Sequence, residues 1–338
     1  MNPSAIQSLR ELLRLRQRVL LVPHKNPDGD AMGACLGLFH LLTDQGHDVT
    51  VIAPNEFPDF LKWMPGADQV VIYEKQEALA KGLIGSAGVV FTLDFNTLER
   101  IGPMAETLRA SAAPFVMIDH HQSPDGYAQV AISDPEMSST CEMVYHVIQA
   151  LGLGEAITPA AASCLYTGIL TDTGSFKYAA ATPTTLRVAA ELMERGAPHT
   201  DIHRHIYDTN RPERLQLLGC ALQNLVILKP YRTAYITLSQ DELDRHRFHK
   251  GDTEGFVNYG LSLKDVVLAA IFIENREEGI IKISFRSQGS FSVNALARAH
   301  FEGGGHINAA GGKSTESLED TVARFAGLLP QYQNALTE

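Results

Sequence analysis

Short apolar runs punctuate the first half of the chain and are separated by longer stretches in which apolar residues recur every three or four positions. Val19–Pro23, Val49–Ala53, Val89–Leu93 and Phe115–Ile118 are runs of strand length, rich in β-branched or aromatic residues. Segments from about Ala31 to Asp44 and near Cys141–Leu151, Ala160–Leu170 and Thr184–Arg195 have helical spacing, with Gly46 and Gly196 as stops. This alternation predicts an α/β fold whose parallel sheet carries helices on both faces. Met1–Arg18 interleaves Leu9, Leu12, Leu13 and Leu15 with arginines, which reads as an amphipathic first helix and not as a signal peptide. From about Ala197 to Leu228 the pattern is helical but polar. A second unit follows: a strand at Thr233–Leu238, a hairpin of Val266–Ile273 with Gly279–Arg286, a helix near Val293–Phe301, a glycine-rich turn at Gly303–Gly312 and a last helix at about Leu318–Leu329. The expected organisation is a parallel-sheet domain over 1–196, a helical connector over 197–228 and a smaller α/β domain over 229–338, with a cleft between the two domains.

The 338 residues suit two cores better than one. A net charge of −11 argues against a long basic track for duplex DNA. The apolar runs fall well short of the ~20 residues that span a bilayer, so a cytoplasmic protein is expected. Cys35, Cys141, Cys164 and Cys220 show no paired short spacing and read as buried thiols, not as a disulfide framework or a zinc site.

The acidic residues become informative once they are placed on the predicted elements. His24, Asp28 and Asp30 lie between the first strand and its helix, where open α/β sheets collect ligands. Nitrogen and carboxylate donors together suit manganese and similar divalent ions, although Asp and Gly also build ordinary Asx turns and helix caps. Asp94 closes another strand, Asp119-His120-His121 closes a third, and Asp172 stands where a helix runs into Gly174. Four such segments would converge on one sheet edge, and so many carboxylates would repel one another without a cation. The glycine-rich turn is more ambiguous. It serves either tight packing or a backbone cradle for a phosphate, with Arg286 and His306 as partners for a phosphate and a base. His40, His47 and His246 read as surface or packing residues, as do His199, His203 and His205, which no carboxylate motif accompanies.

Taken together, His24-x-x-x-Asp28-x-Asp30, Asp94, Asp119-His120-His121, Ser138-Ser139-Thr140-x-Glu142 and Thr167-Gly168-Ile169-x-Thr171-Asp172-Thr173-Gly174 resemble the motifs of DHH phosphoesterases in their usual order. Gly303-Gly304-Gly305-His306-Ile307-Asn308-Ala309-Ala310-Gly311 resembles the signature of the DHH-associated domain. The small oligoribonucleases and 3′-phosphoadenosine-5′-phosphate (PAP) phosphatases of the family are the most similar in size. The resemblance implies a catalytic N-terminal domain, a substrate-binding C-terminal domain and two divalent ions, manganese first. His24 and Asp28 would hold one ion, Asp94 would bridge, and Asp30, His120 and Asp172 would complete the second. Asp119 would be a ligand or would orient a histidine, and His121 would face the scissile phosphate. His120 and His121, adjacent on extended backbone, should point to opposite sides unless the chain bends. Arg286, Gly304, Gly305 and His306 would hold the substrate. The implied activity is two-metal hydrolysis of short oligoribonucleotides, dinucleotides and PAP. The alternatives are an inorganic pyrophosphatase or exopolyphosphatase, a phosphodiesterase of pApA or cyclic dinucleotides, and a nucleotide-binding sensor without activity. Oligomeric state stays open, a homodimer among the options.

Overall fold

A computed structural model describes residues 2–337. The chain divides between Thr209 and Asn210 into two compact units.

The first unit contains α1 (Pro3–Leu12), β1 (Arg18–Pro23), α2 (Gly29–Asp44), β2 (Asp48–Ala53), β3 (Val71–Ile72), α3 (Glu77–Gly85), β4 (Val89–Leu93), α4 (Met104–Arg109), β5 (Phe115–Asp119), β6 (Val130–Ser133), α5 (Thr140–Leu151), α6 (Pro159–Asp172), α7 (Pro183–Glu194) and α8 (His199–Tyr207). Its strands form one parallel sheet in the order β3-β2-β1-β4-β5-β6. Successive residues of β1 feed opposite faces. Val19 and Leu21 join the core shared with α2, α5 and α6, while Leu20 and Val22 join the core under α3 and α4. A strand buried on both faces reads as a continuous apolar run, which explains why β1, β4 and β5 stand out in the sequence. The strand order reverses between β1 and β4, and ligands of such sheets gather at the carboxyl ends of the strands flanking that reversal.

Two helices of this unit approach as closely as backbone allows. Gly29, Gly33 and Gly37 recur every four residues along α2 and so share one face. A Cβ on them would come within 2.3 Å of Thr171 Oγ1, 2.6 Å of Cys164 O and 2.6 Å of Leu165 Cδ2, all on α6. Gly168 answers from α6, where a Cβ would lie 2.8 Å from Asp30 Oδ1. The helices run antiparallel, so the start of α2 lies beside the end of α6.

The second unit contains α9 (Pro212–Gln223), β7 (Val226–Leu228), β8 (Thr233–Leu238), α10 (Gln240–Arg245), α11 (Val257–Leu261), β9 (Leu268–Asn275), β10 (Ile280–Ser287), α12 (Val293–His300), β11 (Gly304–Gly305), β12 (Ala309–Ser314), α13 (Leu318–Leu328) and α14 (Gln333–Thr337). Its mixed sheet runs β11-β12-β10-β9-β8-β7, with only β8 and β9 parallel. Phe272, Phe285, Phe301 and Phe325 pack together at its centre. The stretch expected as a single connector is split between the units: α8 belongs to the first and α9 to the second. The glycine-rich stretch is not an open turn. Gly304 and Gly305 pair with Gly311 and Ala310 as antiparallel strands, and only the residues between them turn.

Candidate functional site

The ends of five elements bring the predicted donors together at the carboxyl edge of the parallel sheet. His24 follows β1 and Asp94 follows β4, the two strands at the reversal. Asp119 ends β5, which pairs with β4, and Asp172 ends α6. Asp28 is the N-cap of α2, its Oδ1 accepting the amides of Asp30 and Ala31 at 3.1 Å each. The turn between His24 and Asp28 is set by a reciprocal amide pair. Asn26 N donates to Asn55 Oδ1 at 2.7 Å, and Asn55 Nδ2 returns to Asn26 Oδ1 at 2.8 Å. Asn26 holds φ +56°, in the left-handed region that Asn tolerates well.

Two donor groups result. His24 Nε2 lies 3.3 Å from Asp94 Oδ2 and 3.7 Å from Asp28 Oδ2. His120 Nε2 lies 3.5 Å from Asp94 Oδ1, 3.4 Å from Asp172 Oδ2 and 3.7 Å from Asp30 Oδ2. Asp94 thus turns one oxygen to each group. Donors bonded to a common small divalent ion at roughly 2.0–2.2 Å are themselves about 3.0–3.5 Å apart, so this spacing suits coordination better than direct hydrogen bonding. The ring tautomers agree. His24 Nδ1 donates to Lys25 O at 2.8 Å and His120 Nδ1 to Met137 O at 3.1 Å, so in each ring Nε2 is the nitrogen turned toward the carboxylates and suited to a cation.

The electrostatics select for positive charge. Burial works against a charged His24, but the carboxylates of Asp28 and Asp94 outweigh it and hold its pKa at about 10. Burial would raise Asp94, yet His24, His121 and His120 pull it below the usual carboxylate range. Burial and then the Asp94 and Asp172 carboxylates push Asp30 well above that range. A cation beside Asp30 would relieve this repulsion. The donor set therefore fits divalent ions.

His121 is arranged differently from His120. Asp119, fully buried, accepts the His121 ring Nδ1–H at 2.7 Å and the His121 amide at 3.0 Å. The two rings do not diverge to opposite sides: their centroids lie 5.1 Å apart, at residues that follow the end of β5 at Asp119. His121 Nδ1 comes 3.6 Å from Asp94 Oδ1, the oxygen that His120 also approaches.

Support for the donors comes from residues that the sequence reading did not give roles. The first amides of α5 clamp Asp30: Thr140 N reaches Oδ2 at 2.6 Å and Cys141 N reaches Oδ1 at 2.9 Å. Thr140 Oγ1 donates to Asp94 Oδ1 at 2.9 Å. Only the resemblance to a motif marked this stretch, since backbone amides leave no trace in a sequence.

In the second unit, Arg286 stands on β10 opposite Ala309 of β12. The amides expected to cradle a phosphate are engaged within the fold. Gly305 N donates to the buried Asn294 Oδ1 at 3.1 Å, and His306 N closes the turn onto Ala309 O at 2.7 Å. Gly303 and Gly305 admit no side chain, since a Cβ would lie 1.9 Å from Gly311 O and 2.4 Å from Ala309 O respectively. In the first unit, His205 stacks on Trp63 at 4.6 Å and His203 lies against Tyr207 at 5.8 Å, in keeping with packing roles.

Residues 18–169 match the model of the DHH family N-terminal domain, and residues 231–331 match the DHHA1 domain. The chain is 30% identical over 300 residues to the bifunctional oligoribonuclease and PAP phosphatase NrnA of Thermus thermophilus, covering 87% of this chain and 83% of that protein. It is 28% identical to the NrnA of Bacillus subtilis, covering 89% of this chain and 91% of that one. The crystal structure of an exopolyphosphatase-related protein from Bacteroides fragilis superposes with a TM-score of 0.95 at 40% identity, covering 100% of this chain and 98% of that one. No described helix is long and apolar enough to cross a membrane. Both domain models match in order, and the His and Asp groups suit a pair of divalent ions; the chain belongs to the DHH family of phosphoesterases.

Proposed function

We propose that the protein is a manganese-dependent, cytoplasmic hydrolase of short oligoribonucleotides, dinucleotides and PAP. One observation carries this reading: Asp94 presents Oδ2 to the His24–Asp28 group and Oδ1 to the Asp30–His120–Asp172 group. That arrangement supports His24, Asp28 and Asp94 as ligands of one cation and Asp30, Asp94, His120 and Asp172 as ligands of the other. When bound, such a pair supplies an activated water and offsets charge at phosphorus. Nitrogen and carboxylate donors favour manganese over a purely oxygen-seeking ion.

The chain's own residues supply orientation and a proton. Asp119 fixes the orientation of the His121 ring through Nδ1, as a carboxylate does for a catalytic histidine. His121 then offsets charge on the phosphate or protonates the leaving oxygen. In the second unit we assign Arg286 and His306 to the substrate through their side chains, and Gly304 and Gly305 through their lack of one. The named activities of the two NrnA proteins support this substrate class.

The second reading, hydrolysis of polyphosphate or pyrophosphate, is favoured by the description of the Bacteroides fragilis protein as exopolyphosphatase-related. A manganese assay against dinucleotides, a short RNA ladder, PAP, pApA, cyclic dinucleotides, pyrophosphate and polyphosphate tests both. Turnover concentrated on dinucleotides and PAP is expected. Turnover confined to polyphosphate or pyrophosphate overturns the first reading.

A further inference from the structure

The stretch from Met137 to Cys141 touches three of the candidate ligands at once. Met137 O receives His120 Nδ1–H at 3.1 Å, while the Thr140 and Cys141 amides hold Asp30 at 2.6 and 2.9 Å. Thr140 Oγ1 adds the bond to Asp94 Oδ1 at 2.9 Å. The stretch is itself fixed from behind. Ser139 Oγ caps α5 by accepting Glu142 N at 3.0 Å. The buried carboxylate of Glu142 accepts the hydroxyls of Ser138 and, at 2.9 Å, of Thr185 on α7. Thr140 is fully buried, so its hydroxyl meets Asp94 from a defined place.

The position of that hydroxyl matters because a carboxylate can bind metal in two ways. It can give one oxygen to each of two ions, or turn both oxygens to one ion. Asp94 has Oδ2 at 3.3 Å from His24 and Oδ1 at 3.5 Å from His120. The Thr140 hydroxyl bonds Oδ1 alone, and it holds that oxygen on the His120 side. We infer that Thr140 is the positioning residue that locks Asp94 as a bridge, and so couples the second cation to the first. This rests on the ligand assignment proposed above. Without the hydroxyl, Asp94 is free to rotate about its terminal bond and chelate the ion near His24, which leaves the Asp30–His120–Asp172 group one ligand short.

The test uses the full chain and manganese alone. Thr140→Val keeps the β-branched shape and removes the hydroxyl; Thr140→Ser keeps the hydroxyl. Manganese binding is titrated calorimetrically, and the spin coupling of adjacent ions is followed by electron paramagnetic resonance. Wild type is expected to take up two ions with a coupled spectrum. Thr140→Val should keep the first ion near wild-type affinity and weaken the second by about 10–100-fold, the usual cost of losing a partner that orients a ligand. Its coupled signal should fall at stoichiometric metal, and Thr140→Ser should restore both readouts. Equal weakening of both ions in Thr140→Val would mark a general structural defect and overturn the inference. Wild-type binding and coupling in Thr140→Val overturns it too, as does a Thr140→Ser that behaves like Thr140→Val. A wild-type chain that holds only one ion overturns the ligand assignment and, with it, the bridge that Thr140 is inferred to hold.

Discussion

Adding one methyl group at Gly168 should damage both the stability of the first unit and its affinity for metal. In Gly168→Ala the new Cβ would sit 2.2 Å from Cys141 Sγ, 2.8 Å from Asp30 Oδ1 and 3.0 Å from Asp30 Cα. Carbon and its non-bonded neighbours prefer roughly 3.5–4.0 Å, so the overlap exceeds about 1 Å at the sulfur. A rotamer change would relieve the contact with Cys141 Sγ, but Asp30 Cα is backbone, and it moves only if α2 moves. Overpacking of this kind costs about 1–3 kcal/mol, and a clash with backbone places Gly168 near the top of that range. Against it stands the gain of roughly 1 kcal/mol for replacing glycine by alanine inside a helix. The net expectation is a loss of about 2 kcal/mol. Gly82 in α3 supplies the control, because a Cβ there meets nothing within 4 Å. Gly82→Ala should therefore stabilise by about 0.5–1 kcal/mol, opposite in sign. Trp63 is the only tryptophan of the chain and lies in the first unit. Its fluorescence in urea reports on that unit. The displaced Asp30 should also weaken manganese by at least about tenfold. Unchanged urea stability and unchanged manganese affinity in Gly168→Ala would refute the claim that the α2–α6 spacing is set by absent side chains.

Asp94→Asn should nearly abolish hydrolysis and lower manganese per chain while the fold survives. Asn tolerates the left-handed φ of +67° found at Asp94, so circular dichroism should match wild type; full activity in a folded Asp94→Asn would sink the two-metal assignment. His121→Ala should keep most of the bound manganese and lose about 10²–10⁴-fold in rate, whereas loss of manganese with the rate per bound ion intact would make His121 a ligand instead. Cleavage should be fastest on about two to five nucleotides, because a net charge of −11 leaves few cations for further phosphates; equal kcat/KM on two- and twenty-nucleotide RNA would overturn this. Arg286→Ala should raise KM for dinucleotides more than for a minimal phosphodiester, and equal effects on the two would remove Arg286 from the substrate site.

What could be read from the sequence follows from which residues carry a pattern. β1 from Val19 onward, β4 and β5 are buried on both faces, so apart from Thr92 each reads as an apolar run, and the runs lead into His24, Asp94 and Asp119. The two-residue β3 and the four-residue edge strand β6 are too short to leave such a run in the sequence. Gly304 and Gly305 form a strand without side chains to alternate, which is why a turn was expected there. The histidine pair misled for a related reason. Alternation holds only within a strand, and β5 stops one residue before His120. Thr140 and Cys141 hold Asp30 across more than a hundred residues of chain through backbone amides, which every residue but proline possesses.

The inferred ligands are spread from His24 to Asp172 over two strand ends joined by a reversal, a third strand end and the facing ends of two helices. No contiguous fragment that omits any of β1, β4, β5, the start of α2 or the end of α6 contains the set. Local fraying of any one element can loosen a ligand, but the pair of sites exists only when the entire sheet and its helices are assembled. Cation uptake is thereby tied to the global opening equilibrium of this unit as well as to local fraying. At a free manganese concentration a hundredfold above the dissociation constant, each ion adds about 2.7 kcal/mol to that equilibrium. A metal-starved chain would present its catalytic unit to proteases far more often than a metal-replete one, so the supply of its divalent cation would govern how long the enzyme lasts as well as how fast it turns over.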